Sequence, residues 1–152
     1  EIYSYANKES DISADWHKIL NNANYICVRD MMFSEDLNRE TGDILYERVV
    51  NNKREIKYLN SFQEHHGSIS NMKQFVHYLL KYRWKINWER EVRENYFPIS
   101  VEEFLKIFEL DFNCTYLERF RVPFLEECWK KDFNIQLEDY THIKCIFELK
   151  HL

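Results

Sequence analysis

Apolar residues return every three or four positions along most of the chain, which is the spacing of amphipathic helices. The first such stripe follows Ser13, a residue type that caps helix N-termini, and continues to about Met32. A helix over 13–32 with one buried face is therefore predicted. The inward residues of this face are Trp16, Ile19, Leu20, Ala23 and Cys27.

Two further stripes predict a second and a third long helix. The second opens at residue 41 or 43 and closes at Gly67, which suits the left-handed position after a helix end. Asn52 and Lys53 interrupt its apolar face. The third opens at residue 68 or 70 and ends before Pro98, because a residue that precedes proline resists helical angles. Its stripe comprises Met72, Phe75, Val76, Leu79, Leu80, Trp84, Trp88, Val92 and Tyr96.

Capping signals predict three shorter helices. Ser100-Val101-Glu102-Glu103 has the pattern of a capping box, in which the first and fourth side chains each bond the other residue's backbone N–H. Thr115-Tyr116-Leu117-Glu118 repeats the pattern and predicts a fifth helix. Pro123 either kinks this helix or occupies the first turn of a sixth, over 124–131.

The hydrophobic period changes near the C-terminus, where apolar and polar residues alternate. A period of two is typical of a half-buried strand and predicts a β-hairpin over 133–150, with a turn near Glu138-Asp139-Tyr140. A terminal amphipathic helix is the competing interpretation. The alternating apolar positions are Ile135, Leu137, Ile143, Cys145, Phe147 and Leu149.

Glycine and proline are scarce: the 152 residues contain two of each, whereas average usage would give about eleven and eight. Because these residues build tight turns and end helices, their scarcity disfavours β-sandwiches and glycine-looped nucleotide-binding folds. The sequence predicts a mainly α fold, a single-domain bundle of five to six helices with a possible short C-terminal β-hairpin. A flexible N-terminal arm over 1–12 is expected to precede one helical domain over 13–152.

Net charge and cysteine content limit the classes of function that we expect for this chain. The formal net charge is −5 and the pI is about 5.7, whereas nucleic-acid-binding domains usually carry a surplus of Lys and Arg. No run of 18 apolar residues indicates a membrane-spanning helix. The four cysteines lack Cys-x-x-Cys spacing, so we expect reduced thiols and an intracellular, cytoplasmic location. Because the first residue is not methionine, an excised domain or a processed chain is expected.

Sequence motifs for catalysis, cofactors and metals are missing. Gly42 and Gly67 stand alone and cannot form a phosphate-binding loop, and neither a Gly-x-Ser-x-Gly elbow nor a His-Glu-x-x-His pair occurs. The densest histidine group, His65, His66 and His77, has no nearby cysteine and is interpreted as structural rather than as a zinc site. We expect no cofactor, no metal and no enzymatic activity, unless residues distant in sequence assemble an active site.

Lys81-Tyr82-Arg83-Trp84-Lys85-Ile86-Asn87-Trp88-Glu89-Arg90 interleaves aromatic and basic residues as no other stretch does. Its tryptophans can simply extend the buried stripe of the third helix. Alternatively, the stretch binds a protein, since Trp, Tyr and Arg are enriched in interface hot spots, or a nucleic acid, by stacking bases and pairing with phosphates. If one side of this helix stays exposed, the expected partner-binding residues are Tyr82, Arg83, Trp84 and Trp88.

The leading functional hypothesis is a non-enzymatic domain of the adaptor or scaffold type. Such a domain would bind a helix or an extended peptide of another protein in an aromatic and apolar groove. The alternative is a nucleic-acid-binding domain of winged-helix-like character, built from helices four to six and the hairpin. The mixed charge of its recognition helix, 124–131, disfavours this alternative.

Overall fold

A computed structural model describes residues 9–32, 36–96 and 99–150. These residues form a mixed α/β structure of seven α-helices and a three-stranded antiparallel sheet, with 47% helix and 20% strand. The prediction of a mainly α bundle with a C-terminal hairpin is therefore wrong. Residues 1–8 of the predicted arm over 1–12 lie outside the described residues. The remaining residues of this arm belong to a helix that begins at Glu9. None of the described helices is long and apolar enough to cross a membrane.

The helices and strands divide between two compact units. The sheet unit comprises Glu1–Glu35, Asn95–Arg121 and Asp139–Leu152, and the helical unit comprises Asp36–Glu94 and Val122–Glu138. The α-helices are α1 (Glu9–Leu20), α2 (Asp43–Val50), α3 (Ile56–His66), α4 (Met72–Tyr82), α5 (Trp88–Glu91), α6 (Val101–Lys106) and α7 (Pro123–Phe133), and a 3-10 turn covers Lys85–Asn87. The strands are β1 (Tyr25–Met31), β2 (Phe112–Phe120) and β3 (His142–Leu149).

The central strand of the sheet unit is β3, which pairs antiparallel with β1 on one side and with β2 on the other. Ile143, Cys145 and Phe147 point to the core, while Lys144 and Ile146 are exposed on the outer face. The period-two pattern thus identifies this strand. The hairpin is wrong because both pairing partners come from distant segments and residues 134–141 form no strand.

β1 replaces the second half of the predicted first helix, because α1 already ends at Leu20. In β1, Ile26 is buried and Cys27 is exposed, whereas the helical stripe places Cys27 inward. Tyr25-Ile26-Cys27-Val28 is rich in aromatic and β-branched residues, which favour strands. Pairing with β3 decides between two local patterns that both fit the sequence.

Of the two predicted capping boxes, the first forms and the second does not. Ser100 Oγ accepts the Glu103 N–H at 3.1 Å, and a Glu103 carboxylate oxygen accepts the Ser100 N–H at 3.0 Å, so α6 begins as predicted. Thr115 lies in β2 at a bulge opposite β3, and the fifth helix predicted there is wrong. Hydrogen bonds to β3 satisfy the backbone groups that a helix would have satisfied internally.

Aromatic rings fill the core of the sheet unit. Trp16 of α1 meets Phe104 and Phe108 at centroid distances of 5.7 and 5.1 Å, and Phe108 stacks on Phe147 of β3 at 4.0 Å. Burial of these large apolar surfaces holds α1 and α6 on the inner face of the sheet. The core residues are Ile12, Trp16, Ile26, Met32, Val101, Phe104, Phe108, Phe112, Ile143, Cys145 and Phe147.

The centre of the helical unit is α4, in which nine of eleven residues are buried, namely Met72 and all of 75–82. A helix with one apolar stripe would bury only its inward face, so α4 is surrounded on every side. The Asn71 side chain accepts the Gln74 N–H and caps it, one residue beyond the predicted caps. The predicted third helix is wrong beyond Tyr82, because α4 ends there and the 3-10 turn and α5 follow as separate elements.

Local signals set the boundaries of the other helices in this unit. The predicted second helix is divided into α2 and α3 at the polar pair Asn52 and Lys53. The Asn52 side chain accepts the Arg54 N–H and donates to the carbonyl oxygen of Asp132, so it competes with helical hydrogen bonds. Of the two alternatives predicted for Pro123, the first turn of a helix is the one that forms, and this helix is α7.

We expect Cys27 to react rapidly with a thiol reagent such as DTNB in the native protein, because its side chain lies on the outer face of the sheet. Cys145 should react at least about a hundredfold more slowly, because its thiol becomes accessible only when the protein opens locally. Burial also raises the pKa of this thiol to about 12, which disfavours the reactive thiolate. Two single-cysteine variants, each retaining one of these thiols, provide the comparison with and without urea. Equal native rates would contradict the strand register.

Candidate functional site

The four residues predicted to bind a partner divide into a buried pair and an accessible pair. Tyr82 is fully buried and Trp88 is 8% exposed, whereas Trp84 is 46% exposed and Arg83 is half-buried. The structure thus places Tyr82 and Trp88 in the core of the helical unit and leaves Arg83 and Trp84 at its surface. Partner binding by these residues stays a prediction, and only the accessible pair can make direct contact.

Tyr82 and Trp88 are held in the core by polar as well as apolar contacts. The Tyr82 hydroxyl donates to Asp132 Oδ2 at 2.6 Å, and Trp88 Nε1 donates to Ser61 Oγ at 3.0 Å. Both rings pack edge-on against Tyr58, at centroid distances of 5.8 and 5.0 Å. For Tyr82, the sequence signal for burial is the run 75–82, which offers no continuous polar face.

A surface cluster forms where the residues after α4 meet the start of α7. We call it the arginine–aromatic patch, and it consists of Arg83, Trp84 and Phe124. The guanidinium carbon of Arg83 lies 4.1 Å from the Phe124 ring centroid and 5.4 Å from that of Trp84, and the two rings are 6.2 Å apart. Phe124 is 41% exposed, and Ile86, two residues beyond Trp84, is 88% exposed. The patch therefore combines a stacked cation with accessible apolar surface.

Phe124 is the member of the patch that sequence reasoning missed. It follows Pro123 in the first turn of α7, a helix whose buried residues are Leu125, Trp129 and Phe133. Those three are spaced by four residues and share one helix face, while Phe124 lies off that face. A large aromatic residue outside the buried stripe is a usable signal. Its meeting with Trp84, however, is a consequence of tertiary packing.

Lys85 holds the chain next to Trp84 in place. Burial lowers the pKa of Lys85, but hydrogen bonds to the Asp132 and Glu55 carboxylates outweigh burial and raise this pKa above its ordinary value. The ammonium group therefore stays charged and joins the 3-10 turn to α7 and to the turn before α3. Its Nζ donates to the Tyr82 hydroxyl at 2.6 Å, to Asp132 Oδ2 at 2.9 Å and to Glu55 Oε2 at 3.1 Å.

Lys81 anchors the chain on the far side of the same segment. Its side chain is fully buried, and Nζ donates to the carbonyl oxygens of Glu91 and Glu94, both at 2.6 Å. Burial lowers the pKa of Lys81 to about 8, although the two nearby carboxylates oppose the shift. The ammonium group thus joins α4 to Glu91, the last residue of α5, and to Glu94 beyond it. The segment that carries Trp84 is thus tied down at both ends.

Two of the three histidines considered as metal ligands lie side by side. The ring centroids of His66 and His77 are 4.6 Å apart, and His66 Nε2 hydrogen-bonds the Val92 carbonyl oxygen at 2.7 Å. Burial, aided by the charge of Lys81, lowers the pKa of His77 to about 2, and burial also lowers the pKa of His66. Across residues 9–32, 36–96 and 99–150, no group of three or more His, Cys, Asp or Glu side chains is arranged to hold a metal ion.

The outer face of the sheet carries a second group of aromatic and charged residues. Phe120 lies 4.7 Å from the Lys144 ammonium and 5.8 Å from the Arg29 guanidinium. Lys144 also forms an ion pair with Glu118 at 3.4 Å, and Glu148 adds a second acid to this face. Two basic residues thus face two acidic ones. A surface without excess positive charge gives no support to the nucleic-acid alternative.

We expect Trp84 to account for the iodide-quenchable part of the tryptophan fluorescence, because Trp16, Trp88 and Trp129 are 5%, 8% and 1% exposed. In Trp84→Phe the Stern–Volmer plot should become nearly flat, whereas Trp88→Phe should keep a slope at least as steep as that of wild type, because it loses only a shielded emitter. Strong residual quenching in Trp84→Phe would show that another tryptophan is accessible and that the patch is not as described.

The neutral, buried imidazole of His77 should make stability fall in acid. Its pKa is about 2, against an ordinary value of 6.5, so below pH 6.5 the unfolded chain binds a proton that the folded chain rejects. The free energy of unfolding should then decrease by about 1.4 kcal/mol per pH unit from this group alone. Urea titrations between pH 7 and 5 should give a shallower pH dependence for His77→Leu than for wild type.

A matched control for this prediction is His17→Leu, at an exposed position of α1. We expect this variant to keep the wild-type pH dependence, because the substitution is at the surface and leaves the buried His77 in place. The same pH dependence in wild type and in both variants would contradict a buried, neutral His77.

Comparison with known proteins leaves the patch to be interpreted from its own chemistry. No family model matches the chain, and no significant similarity links it to a curated protein or to a solved structure. The features that bear on function are therefore those of the residues themselves: two accessible aromatic rings, a guanidinium group close to both, and a chain segment held by buried hydrogen bonds on either side.

Proposed function

We propose that this chain is a non-enzymatic, adaptor-type protein that binds a helix or an extended segment of another protein on the arginine–aromatic patch and the adjoining Ile86. The observation that carries the proposal is the pair of exposed rings, Trp84 and Phe124, bridged by the stacked guanidinium of Arg83. Tryptophan and arginine dominate binding hot spots, because they bury much surface and still offer directed hydrogen bonds.

Rigidity of the segment supports this proposal. Lys85 lies between Trp84 and Ile86 and uses its three donors on partners within the helical unit. Side chains that are already held in place lose less conformational entropy when a partner binds. A large apolar side chain of the partner, laid across the Trp84 and Phe124 rings, would exclude water from them.

We place this binding inside the cell, in the cytoplasm. All four cysteines are free thiols, although Cys27 and Cys114 are exposed. Accessible thiols that remain reduced are typical of compartments in which glutathione and thioredoxin are active.

A photo-crosslinking amino acid at position 84 should capture a partner in cells that express the protein, and one at position 116 should not. Tyr116 is a matched control site, because it is 46% exposed, as Trp84 is, but lies on the outer face of the sheet. Equal capture at the two positions would show that the adduct at position 84 is non-specific.

For the captured partner, we expect Trp84→Ala to weaken binding by at least about 2 kcal/mol, or roughly thirtyfold, as for a hot-spot residue. Tyr116→Ala should change binding little. Isothermal titration calorimetry measures both, and circular dichroism checks that each variant is folded. If folded Trp84→Ala binds as tightly as wild type, the patch is not the binding surface.

A further inference from the structure

We infer that the partner segment carries an Asp or Glu side chain close to its large apolar residue, and that Arg83 recognises this carboxylate. The inference rests on the proposed function and adds the chemistry that selects the partner. An arginine fork accepts a carboxylate in two parallel hydrogen bonds, so it contributes specificity as well as attraction.

Arg83 has no counter-ion within the helical unit as described. Among residues 9–32, 36–96 and 99–150, no carboxylate lies within 4.0 Å of its guanidinium group, and its Nε is buried without a hydrogen-bond partner. The group is instead stacked on Phe124 and Trp84. Contact with these rings shields part of the group from water, while the guanidinium group keeps N–H groups that can donate.

Other charged side chains lie near Cys128 of α7 together with Arg83. Arg83, Lys85 and Lys131 all act to lower the pKa of Cys128 on α7, against burial and the single acid Asp132, which raise it. Lys85 is already neutralised by its own two carboxylates. Arg83 therefore remains a basic group of the patch with no carboxylate partner among the described residues, on a chain whose net charge is −5. Such a surface complements an acidic segment.

A carboxylate of a protein is favoured over the phosphates of a nucleic acid for two reasons. Binding along a phosphate backbone requires several basic contacts, and the arginine–aromatic patch contains one basic side chain, Arg83. In addition, Ile86 extends the surface with aliphatic area that is 88% exposed. Aliphatic surface suits an apolar side chain better than a nucleobase, which prefers aromatic faces.

The test is a selection from a random linear peptide library displayed on phage, with peptides that also bind Trp84→Ala removed. We expect the peptides enriched by the wild-type protein to share a large apolar residue with Asp or Glu within a few positions. A synthetic peptide of that consensus should bind folded Arg83→Met at least tenfold more weakly. The control Arg119→Met, on β2 of the sheet unit, should bind it like wild type.

Charge reversal gives a second, independent readout. Selection with Arg83→Glu should enrich peptides in which Lys or Arg replaces the acidic residue, because the sign of the recognised charge is inverted. If this variant does not fold, Arg83→Met and Arg83→Gln carry the test through their affinity for the consensus peptide. Equal affinity of the folded neutral variants and wild type would overturn the inference.

The outcomes separate this inference from the proposed function. Trp84-dependent peptides that lack acidic residues would overturn the role of Arg83 and leave the binding surface intact. Failure to enrich any Trp84-dependent peptide would overturn both. Binding of a fluorescent oligo(dT) at low salt that is lost in Arg83→Met would also overturn the inference, because it would assign the patch to nucleic acid.

Discussion

The burial of α4 on every side is the constraint on which the helical unit depends. A helix enclosed in this way needs apolar neighbours around its full circumference, and its polar groups need partners inside the core. Lys81 donates to the carbonyl oxygens of Glu91, at the end of α5, and of Glu94 beyond it, and the Tyr82 hydroxyl donates to Asp132 of α7. These bonds draw the chain that leaves α4 and the later helix α7 onto the same core.

The arginine–aromatic patch is a consequence of this arrangement. Since Lys81 and Lys85 both point inward to polar partners, Trp84 between them is turned to the surface, where α7 presents Phe124. Arg83 then stacks on both rings. A charged and aromatic surface is thus supported directly by buried polar groups. Such support is what a binding site requires if its side chains are to be held in one geometry before the partner arrives.

Sequence reasoning succeeded where a signal acts within a turn or two. The capping box at Ser100 forms, and Pro123 opens a helix, which was one of the two alternatives predicted for it. It failed where one local pattern fits two structures. Cys27 completes a helical stripe and also an alternating strand, and Thr115 can cap a helix or pair in a sheet. β3 supplies the pairing partner for both segments, and it lies far away in the chain. For the candidate site, the sequence singled out the stretch around Trp84, whose role in binding stays a prediction; it missed the contact of Phe124 with this stretch and included two residues that are buried.

By itself, the sequence determined three helix boundaries, at Ser100, Pro123 and Gly67, and the alternation along β3. These features depend on backbone angles and hydrogen bonds between near neighbours. Only the tertiary structure decided which strands pair, that Tyr82 and Trp88 are core residues, and that Trp84 meets Phe124 at the surface. Exposure and contact depend on which distant segments pack around a side chain. Residue type and spacing alone do not show whether an aromatic residue is buried or exposed, because burying it is favourable both in a core and in an interface.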